Sequence, residues 1–418
     1  MANSLNNTSF QQFWARRMQL KNNKASVYPA IVSMEAQNVL KQGDTFHKPY
    51  RSVVQAQAYT RGTAVTIQDL TNTDETLVVS TAEVVPFYID DLDALQSNFK
   101  FINEYADDAA VKLSNFIDAD VLAEYANATS TIDDGSLSGT SGNGISLGVG
   151  NIQAVFAAAQ ARLGRYNVVA NHNGKLGNSG LFAVISPDVQ QVLVNYLSGK
   201  NSNLGDTTGL NGHIGNYYGF DLFVSNNLTW TATLALATQP TNNDTLTLKT
   251  VDETGAAVTT TITFVTSIGS TAGNVLIGAS AATANTNLAG LLNAPGTTSS
   301  TQVALSATNQ AALTHLTATA GSTSTTIVGK GSSFFVASSS LTATADGWTA
   351  AKQVQHCLFG VKGATDLVIQ KKPNVEIKEV PDKLGKNVLP WTLYGLKTFQ
   401  NSKVKLIDVQ VRTDAYTL

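Results

Sequence analysis

The chain of 418 residues contains a single cysteine, Cys357. An internal disulfide is therefore excluded, and stability must come from packing or from partners. Charge is sparse: 14% of the residues are Asp, Glu, Lys or Arg, and the net charge is −3. A chain this close to neutral is not built to grip nucleic acid through its phosphates. With 43% hydrophobic residues it is neither a disordered tail nor a charged coiled coil. No run of 18 apolar residues occurs, so no membrane-spanning helix is expected. The opening "MANSLNNTSFQQFWARRMQ" lacks the apolar core of a secretory signal. Together with the lone thiol, this points to synthesis in a reducing cytoplasm.

Catalytic groupings are missing too. No two of His47, His172, His213, His315 and His356 have the spacing of a helical metal pair. His356 adjoins Cys357, but without a placed partner the thiol reads as an ordinary packed cysteine. Asp107 and Asp108 are adjacent within a helical pattern, where neighbours do not face each other. The glycines of "GTSGNGISLGVG" do not lie between a strand and a helix at dinucleotide spacing, and no phosphate-loop lysine follows. Ser186 in "ISP" lacks the flanking glycines of a nucleophile elbow and reads as a helix cap. The expectation is no enzyme, no cofactor and no metal.

What is present is a succession of unlike parts, long enough for two or three domains. Residues 1–50 form a basic arm, six Lys/Arg against Glu35 and Asp44. Within it, "SFQQFWARRMQL" has Phe10, Phe13, Trp14 and Met18 on one helical face, and "SMEAQNVLKQ" suggests a second helical piece. "SVVQAQAY", "TAVTIQDL" and "ETLVVST" are β-branched, with turn chemistry in "TNTDET", and predict a long hairpin over 51–88. A hairpin with no second apolar face must lie on another surface. From Tyr88 to Ala126 there is no Gly or Pro, and Leu92, Leu95, Phe99, Ile102, Ala106, Ala109, Leu113 and Phe116 recur in steps of three and four. That spacing predicts one long amphipathic helix, capped by Asp90 or Asp91. Ten acids stand against two lysines between Thr81 and Ala126, opposite in sign to the arm.

A Gly/Ser-rich connector spans 131–150. "NIQAVFAAAQARLG", "LFAVIS", "SPDVQQVLVNYL" and "FDLFVSNNL" then read as helix, buried strand, capped helix and strand. Between Thr231 and Ala345 the composition changes to 41 Ser/Thr in 115 residues, with Asp244, Lys249, Asp252, Glu253 and Lys330 as the only charges. Strands are expected at "TLTLKTVD", "TTITFVTS", "STTIVGK" and "SSFFVASS", and a short helix at "ANTNLAGLLN". Mixed sequence resumes at Trp348, with strands in "CLFGVKGATDLVIQ", a hairpin turning at "DKLGK", and a closing strand in "SKVKLIDVQVRT". The Thr-rich stretch therefore reads as an insertion.

The order of these parts resembles the major capsid (coat) protein of tailed bacteriophages, the Hong Kong 97 type. The similar stretches are "LKQGDTFHKPY", "VVPFYIDDLDALQSNF", "GHIGNYYGFDLFVSNNL", "CLFGVKGATDLVIQ" and "YGLKTFQNSKVKLIDV". The resemblance implies an α+β capsid fold with a Thr/Ser-rich, mainly β insertion domain. Its parts would be an N-arm at 1–47, an E-loop hairpin at 48–87, and a peripheral domain with a spine helix at 88–149 plus 371–391. An α/β axial domain would occupy 150–230 and 346–370, the insertion 231–345, and C-terminal strands 392–418. It implies a structural protein, self-assembling as pentamers and hexamers into an icosahedral head that encloses double-stranded DNA without reading its sequence. Implied partners are further copies of the chain, a separate scaffolding protein and a portal protein, with a decoration protein as an optional addition and no membrane. The implied location is the virion capsid, after synthesis in the host bacterial cytoplasm. Contacts between copies are expected at Phe13, Trp14, Arg16, Arg17, Arg51, Arg61, Asp69, Asp74, Glu75, Lys383 and Lys386. The alternative is a cell-surface adhesin or binding protein whose Thr-rich part is an immunoglobulin-like module.

Overall fold

A computed structural model describes residues 25–40, 43–51, 54–96, 101–166, 168, 180–200, 215–251, 256–331, 335–343, 346–380 and 384–412. The expected arm helix, with Phe13, Trp14, Arg16 and Arg17, lies outside the described residues, as does Lys383.

A short helical turn, Tyr28–Ile31, opens the described chain and carries Pro29 near its start, where a missing N–H costs nothing. A 3-10 turn, Glu35–Asn38, follows within "SMEAQNVLKQ". Strands β1 (Thr45–Arg51) and β2 (Asn72–Val78) pair antiparallel, with Thr45 opposite Val78 and Arg51 opposite Asn72. Here the hairpin expectation needs correcting. "TNTDET" is not the turn but lies almost wholly in β2, and the chain reverses at Arg61–Thr63 on Gly62, at φ +88°. The described parts of "SVVQAQAY" and "TAVTIQDL" form no strands. Their β-branched residues favour extended backbone, but a strand also needs a ladder to join.

After β3 (Thr81–Val84) and β4 (Phe87–Asp90), helix Asp91–Gln96 begins under the Asp90 carboxylate, which accepts the Leu92 N–H at 2.9 Å. Helix Phe101–Leu122 continues as a 3-10 turn to Asn127. The helix thus begins at the cap expected at Asp90, and Phe87–Asp90 ahead of it pairs with Gly385–Val388. Nothing local in the sequence announces that partner. The 22 residues from Phe101 span about 33 Å at 1.5 Å each. Ala109, Leu113, Ile117, Val121 and Leu122 are buried, one face of the helix.

The body follows: β5 (Ser130–Ile132), helix Ile152–Arg165, β6 (Leu181–Ile185), helix Pro187–Ser198, β7 (Asn216–Tyr217) and β8 (Phe220–Val224). The helices bury the residues their spacing selects: Ile152, Val155, Phe156, Ala159 and Leu163, then Val189, Leu193 and Leu197. Ser186 caps the second, its hydroxyl accepting the Val189 N–H. The Gly/Ser connector is built rather than slack. Asp133 caps a 3-10 turn at Asp134–Leu137 and also accepts the Gly142 N–H at 2.6 Å.

The Thr-rich stretch supplies β9 (Thr229–Ala235), β10 (Thr245–Val251), β11 (Ala257–Val265), β12 (Asn274–Leu276), helices Ala281–Asn293 and Ala307–Ala312, β13 (Leu316–Ala320), β14 (Ser324–Gly329) and β15 (Phe335–Ser340). The chain ends with β16 (Gly347–Val361), β17 (Asp366–Glu379), β18 (Gly385–Lys397) and β19 (Leu406–Arg412). A nine-stranded sheet runs β13-β14-β9-β16-β6-β8-β7, with β19 on β16 and β5 on β19. Its two ends serve different cores. One core joins Ile117 and Leu122 of the long helix to β6, β19 and the two body helices. The other gathers Trp230, Leu246, Phe264, Leu288 and Ile327, between this sheet and a second one ordered β12-β11-β10-β15. β17, β18, β3 and β4 make a separate sheet.

Candidate assembly surface

Loop 54–70 buries none of its side chains. Val54, Tyr59, Val65, Ile67 and Leu70 stand in water, Ile67 at 92% exposure. Single exposed apolar residues are common, but five on one segment with no core of its own are not self-stabilising. The foot of the loop, by contrast, is fixed. Leu77 and Val79 are buried with Ala36, Leu40, Val368 and Phe399. Lys397 donates to Thr76 O at 2.9 Å, and the Glu75 carboxylate accepts the Gln400 N–H at 3.0 Å. Gly395 lets β18 pass close over β2: a Cβ there would meet Val78 O at 2.4 Å. The result is a limb with an anchored base and a free apolar end.

A second exposed apolar group surrounds the outer end of the β17–β18 sheet: Val84, Tyr88, Leu92, Leu95, Ile377 and Leu384. Tyr88 is held there by donating its hydroxyl to Leu384 O at 2.7 Å. By contrast, among the described residues no large apolar side chain is exposed between Val224 and Ile377. The Thr-rich part thus satisfies its own apolar surface, while the loop and the outer sheet do not.

Of the residues expected at contacts, Arg61 and Asp69 are exposed on the loop. Arg51 ends β1 opposite Asn72. Asp74 receives the Nδ1 of His47 at 2.6 Å, and Glu75 is engaged at the foot. Lys386 lies on β18 opposite Ile89 and Glu379. The loop, its foot and the outer sheet therefore each carry part of the set.

Sequence reasoning missed two buried polar hubs. The first is Asp118 on the long helix. One carboxylate oxygen accepts the N–H groups of Val27 and Tyr28 at 2.8 and 2.7 Å, and the other accepts Asn227 Nδ2 at 2.8 Å. Burial pushes its pKa up, against these hydrogen bonds. The second is His356, whose Nδ1 is 2.9 Å from Asp408 and whose Nε2 is 2.9 Å from the Thr231 hydroxyl; Tyr125 stacks on the ring at 3.9 Å. An acid, an imidazole and a hydroxyl in line have the outline of a nucleophile relay. Here, however, His356 and Asp408 are buried side by side on β16 and β19, so the chain of bonds fastens strands together. Burial and Asp408 push the Tyr125 hydroxyl up to about 12. Cys357 is buried, as its packed reading requires, and its thiol is pushed up to about 12. No spacing signal could have found either hub, because their members lie over 50 residues apart.

Residues 50–252 match the family model described as phage capsid protein. No curated protein matches the sequence. Among solved structures, the fold is similar to a chain of Mycobacterium phage Che8, at 13% identity and a TM-score of 0.55, covering 97% of this chain and 98% of that one. It is also similar to the capsid structure of the Cyanophage P-SCSP1u, at 12% identity and 0.50, covering 96% and 92%. A third similar structure is the mature capsid of bacteriophage PhiM1, at 11% identity and 0.50, covering 97% and 92%. At these identities the likeness is one of fold, extending over nearly the whole of each chain.

Proposed function

We propose that this chain is a phage major capsid protein that builds a head shell by laying its apolar loop on a second copy. The observation that carries the reading is loop 54–70, anchored at its foot and without a buried residue of its own. Such a segment gains stability only when a neighbour covers it. The outer sheet, with Ile377, Leu384 and Leu95 in water, offers a second surface that neighbours would close. Many modest contacts closed by symmetry hold an assembly without covalent links.

In this reading residues 1–47 are the N-arm, 48–87 the E-loop, and 88–149 with 371–391 the peripheral domain on its spine helix. Residues 150–230 and 346–370 form the axial domain, meeting around five- and six-fold centres as pentamers and hexamers. Residues 231–345 form an inserted module on the shell exterior; its own core and, among its described residues, the lack of exposed large apolar groups suit a part that faces water. The shell encloses double-stranded DNA, and a net charge of −3 suits containing DNA rather than gripping it. A separate scaffolding protein guides assembly and a portal protein occupies one vertex. The role is structural, not enzymatic.

The test is co-expression with the phage's scaffolding protein, followed by negative-stain microscopy of the purified product. Closed shells of uniform diameter are expected. A compact species that stays monomeric at every concentration overturns the reading.

A further inference from the structure

Four side-chain amides repeat one arrangement. Gln68 donates to Gln55 O at 2.7 Å and accepts its N–H at 3.0 Å. Gln37 does the same to Ile369, at 2.5 and 2.8 Å. Gln353 does so to Ala337, at 2.7 and 2.9 Å, and Asn293 to Ala318, at 2.8 and 2.7 Å. Each amide takes both the N–H and the C=O of one residue, the two groups that an antiparallel neighbour strand takes at a hydrogen-bonded pair. Ile369, Ala337 and Ala318 lie on β17, β15 and β13, each the last strand of its sheet.

The Asn293 pair is the most consequential. The edge of β17 is also covered by Ser33, which bonds Thr365 O and the Leu367 N–H. Gln353 and the pair it makes are buried. Asn293, in contrast, is exposed, the last residue of its helix, and it meets β13 at its midpoint. β13 reads "LTATA", with no charge and no proline to blunt its edge; helix Ala281–Asn293 packs against it, and its first N–H, at Leu316, is taken by Leu313 O at 3.0 Å. Leu316 and Ala318 face the core, and Thr317 and Thr319 face water. Beside the edge lies a depression of mixed lining, with Asn293, Gln310 and Thr314 among Leu292, Pro295 and Leu313. The Thr-rich stretch has too few charges to keep copies apart by repulsion.

We propose that Asn293 is an edge guard: its amide holds the Ala318 N–H and C=O so that β13 cannot accept the β13 strand of a second copy. Pairing about Ala318 would be antiparallel and self-complementary, the geometry of a two-fold contact. The device acts on the free chain and does not rest on the shell reading.

The experiment uses the full chain without scaffold, as wild type, Asn293→Ala, and Asn293→Ala with Thr319→Lys. Hydrogen exchange reports the Ala318 amide, sedimentation velocity reports self-association, and negative stain separates regular shells from other aggregates. For Asn293→Ala, Ala318 should exchange about tenfold faster at concentrations where the chain stays monomeric, as loss of one net hydrogen bond implies, and at higher concentrations the chain should form dimers and larger irregular species in which Ala318 is protected again. Thr319→Lys should restore the wild-type association state while Ala318 stays fast, because an edge lysine blocks strand addition without replacing the bond. Two results overturn the proposal: Asn293→Ala exchanges fast yet associates no more than wild type, or Thr319→Lys fails to reverse the association.

Discussion

Replacing Ile67 with Asp should separate folding from assembly. Ile67 is 92% exposed, so in the free chain its side chain already lies in water and the substitution disturbs no packing. Its effect on folding should stay within about 0.5 kcal/mol, the range of ordinary surface changes. In the proposed shell the same side chain is buried on a neighbour. Full burial of an isoleucine contributes roughly 1.5–3 kcal/mol, and about 2 kcal/mol is close to thirtyfold in an association constant. A carboxylate in that apolar seat adds a desolvation cost of the same order. Every copy in a shell bears the penalty once as donor of the loop and meets it once as acceptor. Ile67→Asp with scaffold should therefore give soluble, folded subunits and no shells at concentrations where wild type assembles, while Ile67→Leu assembles normally. Circular dichroism melting and sedimentation velocity read the two properties separately. Wild-type shell yield from Ile67→Asp would refute the reasoning, and a drop of several degrees in its melting temperature would show that Ile67 packs within its own chain.

Asp118→Ala strips the acceptor from two backbone N–H groups and from Asn227; at about 1–3 kcal/mol for each stranded donor, a urea titration should show at least about 3 kcal/mol lost. Burial raises the folded pKa of Asp118, so its charged form costs stability above that value and the cost is relieved as pH falls through it. The stability of wild type relative to Asp118→Asn should accordingly rise on acidification, and a fall would contradict the sign. Cys357, pushed up to about 12 and fully buried, should resist alkylation at about pH 8 until the chain is unfolded, which mass spectrometry of labelled protein checks. Gly395→Ala places a Cβ 2.4 Å from Val78 O and 2.8 Å from Val79 Cα, both backbone atoms that yield poorly. It should cost roughly 1–3 kcal/mol in a denaturant titration, and a neutral result would mean that the foot of the loop is looser than its contacts imply.

Where pattern and structure agree, the agreement has a local cause. Ser186 before Pro187 marks a helix start by itself, and Ile152 through Leu163 mark a helix face by spacing alone. The four strands and the helix expected in the Thr-rich stretch appear at Thr245–Val251, Ala257–Val265, Ser324–Gly329, Phe335–Ser340 and Ala281–Asn293. Where they disagree, the deciding partner is distant. Tyr88–Asp90, just ahead of the helix cap, carries no strand signal of its own, yet it pairs with a strand some 300 residues later. "TAVTIQDL" has strand composition but no ladder within its own chain. The candidate surface is legible in part: Arg61 and Asp69 fall on the exposed loop, whereas its apolar centre, Ile67, is in the sequence only one more β-branched residue of "TAVTIQDL".

The sequence by itself determined the succession of parts, the change of composition at Thr231, the helix caps and the exclusion of an internal disulfide, because each depends on residue type or on neighbours a few positions away. Only the tertiary structure decided which apolar residues stay in water and which strand edges are closed by an amide. It alone also decided that Asp118, His356 and Asp408 meet partners in the interior. Burial and edge pairing are relations between segments that meet in space, and a chain's local pattern carries no record of which distant segment arrives.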